Sequence, residues 1–182
     1  VERLAARAAA AVPGDPFEPG TTMGALINAR QRDRVLNYME RGRAEGARLI
    51  TGGGRPDRSG YFVQPTLFAD ATNDMTIARE EIFGPVLAVI PFDTEADAIA
   101  LANDSLYGLA AGLWTRDIKR GHRVAHRLEA GTVWVNAYNR YDTATPFGGY
   151  KESGFGRDMG PEALDGYLQT KSVWIDLSED RA

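Results

Sequence analysis

An alternation of strand-like and helix-like segments between residues 86 and 135 restricts the folds open to this chain. Short apolar, β-branched or aromatic runs typical of buried strands occupy residues 86–90, 112–115 and 132–135. A helix-length segment follows each of the first two runs, one starting near Thr94 in a near capping-box pattern and one that Asp117 can cap. Strands that alternate with helices favour crossover connections and parallel pairing. We therefore predict an α/β fold with a largely parallel sheet flanked by helices.

The remaining segments predict shorter elements. Helices are predicted at residues 2–12 and about 29–45, and a strand at residues 48–51. Residues 61–68 resemble a strand interrupted by Pro65, which predicts an edge or irregular strand because proline cannot donate to the ladder. A short helix at 161–167 and a strand at 171–177 complete the chain.

Composition limits the class of protein. The 182 residues are 43% hydrophobic, which is enough for a core, and the net charge of −4 argues against a general nucleic-acid binder. The absence of cysteine excludes a disulfide framework and a thiolate nucleophile within these residues. No apolar run approaches the roughly 20 residues that span a bilayer, and no signal peptide is visible, so we expect no membrane association and a cytoplasmic location.

A possible metal pair is formed by His122 and His126, four residues apart on one predicted helix. Arginines at 120, 123 and 127 surround both histidines and disfavour a bound cation. We therefore interpret this helix face as solvated and predict no metal site.

The segment around Glu81 and Phe83 has a spacing suited to a nucleotide. Residues two apart lie on one side of an extended chain. A carboxylate can accept two hydrogen bonds from adjacent ribose hydroxyls, and an aromatic ring can pack on a flat ring. By spacing alone, an exposed acid and a core phenylalanine are the simpler interpretation.

A second candidate segment is the long loop after residue 135. It contains several glycines, few aliphatic residues and the rigid motif Pro146-Phe147-Gly148-Gly149. Long loops inside compact domains are usually functional.

Three segments together resemble the successive signatures of one family, the NAD(P)-dependent aldehyde dehydrogenase superfamily. They are residues 80–86 (EEIFGPV), 131–136 (GTVWVN) and 146–154 (PFGGYKESG). The resemblance implies the catalytic-domain fold of that family, with a carboxy-terminal oligomerisation strand. It also implies oxidation of an aldehyde to a carboxylic acid with NAD or NADP, through a cysteine thioester.

The resemblance also implies roles for individual residues. Glu81 is expected to hold the ribose hydroxyls of the cofactor, and Phe83 to pack on its nicotinamide ring. Tyr141 and Phe147 are expected to line the aldehyde pocket, and Asn136 to brace the loop beside it. Arg140 stands at the expected pocket entrance, where it either pairs with a carboxylate on the aldehyde or points into solvent.

The chain departs from the family in what it lacks. The nucleophilic cysteine, the catalytic glutamate, the oxyanion-hole asparagine and the dinucleotide domain all precede the matched signatures in that family, so we assign no catalytic residue here. Because these groups are missing, we expect the chain to be inactive alone. We also expect it to be a fragment, because its first residues read as an uncapped helix that looks cut in its middle.

The resemblance divides the chain into three predicted parts. Residues 1–152 form part of the catalytic domain, 153–170 a return segment with a short helix, and 171–182 the oligomerisation strand and tail. The expected partners are a small aldehyde and further copies of the chain, as a dimer or tetramer. The alternative is a non-catalytic binding or assembly module with the same fold and exposed strand.

Overall fold

The computed structural model describes residues 1–177. The chain divides into two compact units, residues 1–104 and residues from 105 onward. The domain boundaries predicted at residues 152 and 170 stay predictions, and the tail at 178–182 lies outside the described residues.

The first unit is a three-stranded sheet with helices. Its elements are α1 (Glu2–Ala9), α2 (Ala29–Ala44), β1 (Arg48–Thr51), β2 (Thr66–Ala69), α3 (Thr76–Arg79), β3 (Val86–Ala88) and α4 (Glu95–Asn103). The strand order is β1-β2-β3, with β1 antiparallel and β3 parallel to β2. The predicted capping box of α4 is confirmed, since Thr94 and Asp97 bond each other's backbone amides.

The position of β2 corrects one prediction. Residues 61–64 are not a strand, and β2 is the central strand of its sheet rather than an edge strand. Pro65 comes just before the first residue of β2, so its missing N–H removes no bond from the ladder. All four residues of β2 are buried, as a central strand requires.

The core of this unit lies between α2 and β2. Val35 and Met39, one turn apart on α2, and Phe68 on β2 are each fully buried. Asn28 caps α2 by accepting a hydrogen bond from the Gln31 amide at 2.8 Å. The apolar residues of α2 therefore pack in the core, and its first turn is anchored.

The second unit contains the predicted crossover. Its elements are β4 (Tyr107–Gly108), β5 (Ala110–Leu113), α5 (Ile118–Arg127), β6 (Thr132–Val135), β7 (Tyr150–Lys151) and a 3-10 helix (Pro161–Gly166). β5 and β6 pair in parallel and α5 connects them, which confirms the α/β prediction for this segment. Asp117 caps α5, because its carboxylate accepts from the amides of Lys119 and Arg120.

The loop after β6 is more ordered than its sequence indicates. It contains β7, which pairs antiparallel with β4, and a β-bridge between Phe147 and Asp158. The Gly160 amide also donates to the Thr143 carbonyl at 2.9 Å. The long segment thus folds back on itself instead of merely joining two elements.

Residues 171–177 are described but form no strand within the chain. A strand needs a hydrogen-bonded partner, and the partner predicted from the sequence is a neighbouring subunit, so the oligomerisation strand stays a prediction. Val173, Trp174 and Ile175 in this segment are all exposed. In the described part of the chain, no helix is long and apolar enough to cross a membrane.

Candidate functional site

Glu81 and Phe83 are both exposed, on either side of a buried residue. Ile82 is 8% exposed and belongs to the core cluster, whereas the Phe83 ring is 73% exposed. Phe83 has a φ of +57°, in the left-handed region. That conformation costs about 1–2 kcal/mol for an L-residue with a side chain, so the surrounding contacts must stabilise it.

Gln31 on α2 contacts this backbone directly. Its Nε2 donates to the Phe83 carbonyl at 2.9 Å and to the Ile82 carbonyl at 3.1 Å. Both bonds join residues about fifty positions apart in the chain. The contact of Gln31 with this segment was not predicted, because no local sequence pattern connects α2 with residues 82 and 83.

Two further α2 side chains hold the residues just before Ile82. Arg34 Nη2 donates to the Glu81 carbonyl at 2.8 Å, and the buried Tyr38 hydroxyl donates to Glu80 Oε2 at 2.6 Å. The Glu80 carboxylate is therefore engaged by Tyr38, while Glu81 is exposed. Arg34 on α2 thus has a specific backbone partner in this segment.

The predicted aldehyde-pocket residues belong to the second unit, in a row of aromatic rings. Tyr141 and Phe147 meet edge to face with ring centroids 5.1 Å apart. Trp134 contacts Tyr141 at 5.6 Å and Tyr138 at 5.1 Å, again edge to face. Such pairs contribute roughly 0.5–1.5 kcal/mol beyond their buried area. The row adds Trp134 and Tyr138 to the two predicted pocket residues, and neither was assigned to the site from the sequence.

Asn136 and Arg140 have different positions in this loop. The Asn136 amide bonds the backbone of Thr115 with both its oxygen and its nitrogen, each at 2.8 Å. The Arg140 carbonyl accepts from Trp134 Nε1 at 2.8 Å, whereas its side chain is exposed. Asn136 thus braces the loop, and the backbone of Arg140 is fixed while its guanidinium faces solvent.

Two signature glycines approach each other closely. A Cβ on Gly131 would lie 1.7 Å from the carbonyl oxygen of Gly148, so no side chain fits there. The motif that carries Phe147 is therefore packed against the start of β6.

The two histidines of α5 lie one turn apart. Their ring centroids are 6.3 Å apart, and His126 Nδ1 lies 2.8 Å from the His122 carbonyl oxygen. In residues 1–177, no three histidine, aspartate or glutamate side chains are grouped to hold an ion.

Comparison with known proteins identifies the family. The sequence profile of the aldehyde dehydrogenase family matches residues 1–173. The chain belongs to the aldehyde dehydrogenase family. The family resemblance is thus confirmed, and the predicted α/β fold is that of the family.

Similar aldehyde dehydrogenases come from several bacteria. The betaine aldehyde dehydrogenase of Brucella anthropi is 53% identical over 98% of this chain and 38% of its own. The NAD⁺ complex of the Bacillus cereus aldehyde dehydrogenase superposes with a TM-score of 0.93 at 52% identity, over 97% of this chain and 36% of that one. The Mycobacterium tuberculosis aldehyde dehydrogenase with NAD⁺ has a TM-score of 0.89 at 50% identity, over 96% of this chain and 36% of that one. The chain thus spans little more than a third of the length of these relatives.

Proposed function

We propose that the whole protein oxidises an aldehyde to a carboxylic acid with NAD, and that this chain supplies side chains for both cofactor and substrate. The observation that carries the proposal is the exposed pair Glu81 and Phe83, held at the surface by side chains of α2. NAD is preferred over NADP because the B. cereus and M. tuberculosis relatives are NAD⁺ complexes.

The residues present fit the cofactor chemically. The Glu81 carboxylate can accept hydrogen bonds from two adjacent ribose hydroxyls, and the exposed Phe83 ring offers a flat apolar face to a nicotinamide. NAD, when bound, supplies the hydride acceptor for the oxidation. Contact with both the ribose and the ring would fix the orientation of the nicotinamide.

The aromatic row is the proposed substrate surface. Tyr141 and Phe147 present an apolar wall to the aldehyde, and Asn136 holds the loop that carries Tyr141. Arg140 adds an exposed positive charge beside this wall. If this charge contacts the substrate, Arg140→Ala raises KM for an aldehyde that carries a carboxylate and leaves KM for a neutral aldehyde unchanged.

The 182-residue chain is proposed to be inactive alone, because it contains no cysteine to form the thioester. We propose that the thiol belongs to a part of the whole protein outside these residues. Reduction of NAD by the purified chain with any aldehyde contradicts this part of the proposal.

A chimaera tests the activity. The chain replaces the matching segment of the B. cereus aldehyde dehydrogenase, to which it is 52% identical, and aldehyde-dependent NADH formation is measured. We expect activity in the chimaera, and a rise in KM for NAD of about tenfold in Glu81→Gln, which weakens the charge-assisted bonds to the ribose. Glu40→Gln, the same change at an exposed glutamate of α2, is the control. A folded but inactive chimaera overturns the proposal.

The alternative, a non-catalytic assembly module, is favoured by one observation. Val173, Trp174 and Ile175 are exposed apolar residues in a segment that forms no strand in the described structure, which suits addition to the sheet of another copy. Light scattering of the chain and of a variant shortened at residue 170 tests the homo-oligomer: a dimer or tetramer that the truncation dissociates supports it. Association together with an inactive chimaera favours the module. The cytoplasmic location stays a prediction.

A further inference from the structure

We propose that Gln31 is a positioning residue for the cofactor-binding pair, because it selects the left-handed backbone of Phe83. This inference rests on the proposed function of Glu81 and Phe83. It differs from that function in assigning a role to a helix residue that bonds only backbone carbonyls, those of Ile82 and Phe83.

The contact itself is incompatible with an extended backbone at Phe83. In an extended chain, successive carbonyls point in opposite directions. Here the carbonyls of Ile82 and Phe83 both accept from the single nitrogen Nε2 of Gln31, at 3.1 and 2.9 Å. They converge because Phe83, which lies between the two peptide groups, has a φ of +57°. An extended Phe83 could not offer both carbonyls to Gln31, and a contact made in one state only shifts the equilibrium toward that state.

Gln31 is itself held in place. Its amide donates to the Asn28 side chain at 2.8 Å in the first turn of α2, and Val35, one turn further along, is fully buried in the core. The side chain of Gln31 is half-buried, so its reach is restricted. The donor is thus preorganised, and the segment before Gly84 adapts to it.

The neighbouring contacts explain why Phe83 depends on Gln31. Arg34 holds the carbonyl of Glu81, and Tyr38 holds the side chain of Glu80. Ile82 is anchored in the core. Gln31 is the α2 side chain that bonds the carbonyl of Phe83. Its loss therefore frees the ring that is proposed to meet the nicotinamide, and leaves the residues before it attached.

The first test is an NMR measurement on the purified 182-residue chain. The φ angle of Phe83 is taken from its HN–Hα coupling and backbone chemical shifts in the parent sequence, in Gln31→Met and in Gln31→Lys. We expect the methionine variant, which has no donor, to lose the left-handed signature, and the lysine variant, which restores one, to recover part of it. Arg43→Met is the matched control, since Arg43 on the same helix donates to a different carbonyl, that of Gly53, at 2.7 Å. A left-handed Phe83 in Gln31→Met overturns the inference.

The second test measures kinetics in the chimaera described above. Gln31→Met is expected to raise KM for NAD about tenfold, the change in population that follows when a left-handed residue loses its support. KM for the aldehyde is expected to stay constant, and Arg43→Met to change neither value. An active chimaera in which Gln31→Met leaves KM for NAD unchanged, or raises both KM values equally, contradicts the inference. An inactive parent chimaera instead contradicts the proposed function, and the NMR result then decides the role of Gln31.

Discussion

Asn136 pairs with Thr115 through its side chain as a neighbouring strand would through its backbone. The side-chain oxygen accepts from the Thr115 amide and the side-chain nitrogen donates to the Thr115 carbonyl, both at 2.8 Å. The backbone N–H of Asn136 also donates to the Leu113 carbonyl, at 2.8 Å. These bonds continue the parallel pairing of β5 and β6 past the end of β6 and fix the start of the long loop.

Substitutions at Asn136 separate its two contributions. Asn136 has a φ of +56°, so Asn136→Ala loses the Thr115 bonds and strains the backbone, whereas Asn136→Gly loses only the bonds. We expect the free energy of unfolding to fall by about 2–4 kcal/mol in the alanine variant and by about 1–2 kcal/mol in the glycine variant. Urea unfolding measures both, and equal losses would contradict a contribution from the backbone conformation.

The Trp134 indole N–H is predicted to stabilise the loop independently of its ring. Trp134 is 9% exposed and donates to the Arg140 carbonyl at 2.8 Å. Trp134→Phe keeps an aromatic ring and leaves that carbonyl without its donor. We therefore expect the free energy of unfolding, measured by thermal unfolding, to fall by about 1 kcal/mol. Trp114→Phe, at an exposed tryptophan, is the control and should change little. A stability loss at Trp114 equal to that at Trp134 would remove the assignment.

Gly131→Ala is predicted to be more damaging than the substitutions at Asn136 and Trp134. The added Cβ would overlap the carbonyl oxygen of Gly148, a backbone atom that cannot move without displacing the loop. We expect a loss of roughly 3–5 kcal/mol, or a loop that no longer packs, measured by urea unfolding. Gly24→Ala is the matched control, because a Cβ there meets nothing within 4 Å. Full stability in Gly131→Ala would contradict the close approach.

The core of the first unit is tested at Phe68. This residue of the central strand is fully buried against α2, so Phe68→Ala should lower the free energy of unfolding by about 3–5 kcal/mol. Phe155→Ala removes the same atoms from a fully exposed side chain and should be close to neutral. Comparable losses in the two variants would show that burial of Phe68 does not determine stability.

Capping residues and short apolar runs correctly predicted the helices and the strand whose limits depend on neighbouring residues. The Thr94 and Asp117 caps define the starts of α4 and α5, and the apolar run at 132–135 is β6. The two-residue strands β4 and β7 were missed, because such short strands exist only through pairing with each other. Pro65 suggested an edge strand, because proline cannot donate to the ladder. It lies just before β2, however, and β2 is paired on both sides.

Residue order alone was sufficient to indicate the family and the alternation of strands and helices, since signatures and caps are patterns of near neighbours. Through the family resemblance, it also led to the prediction that Glu81 and Phe83 bind the cofactor together. Three contacts are visible only in the folded chain. They are the hydrogen bond of Gln31 to Phe83, the hydrogen bond of Tyr38 to Glu80 and the close approach of Gly131 to Gly148. These contacts join residues 17 to 52 positions apart, and hydrogen bonds and packing depend on distance in space, which a short sequence window does not contain.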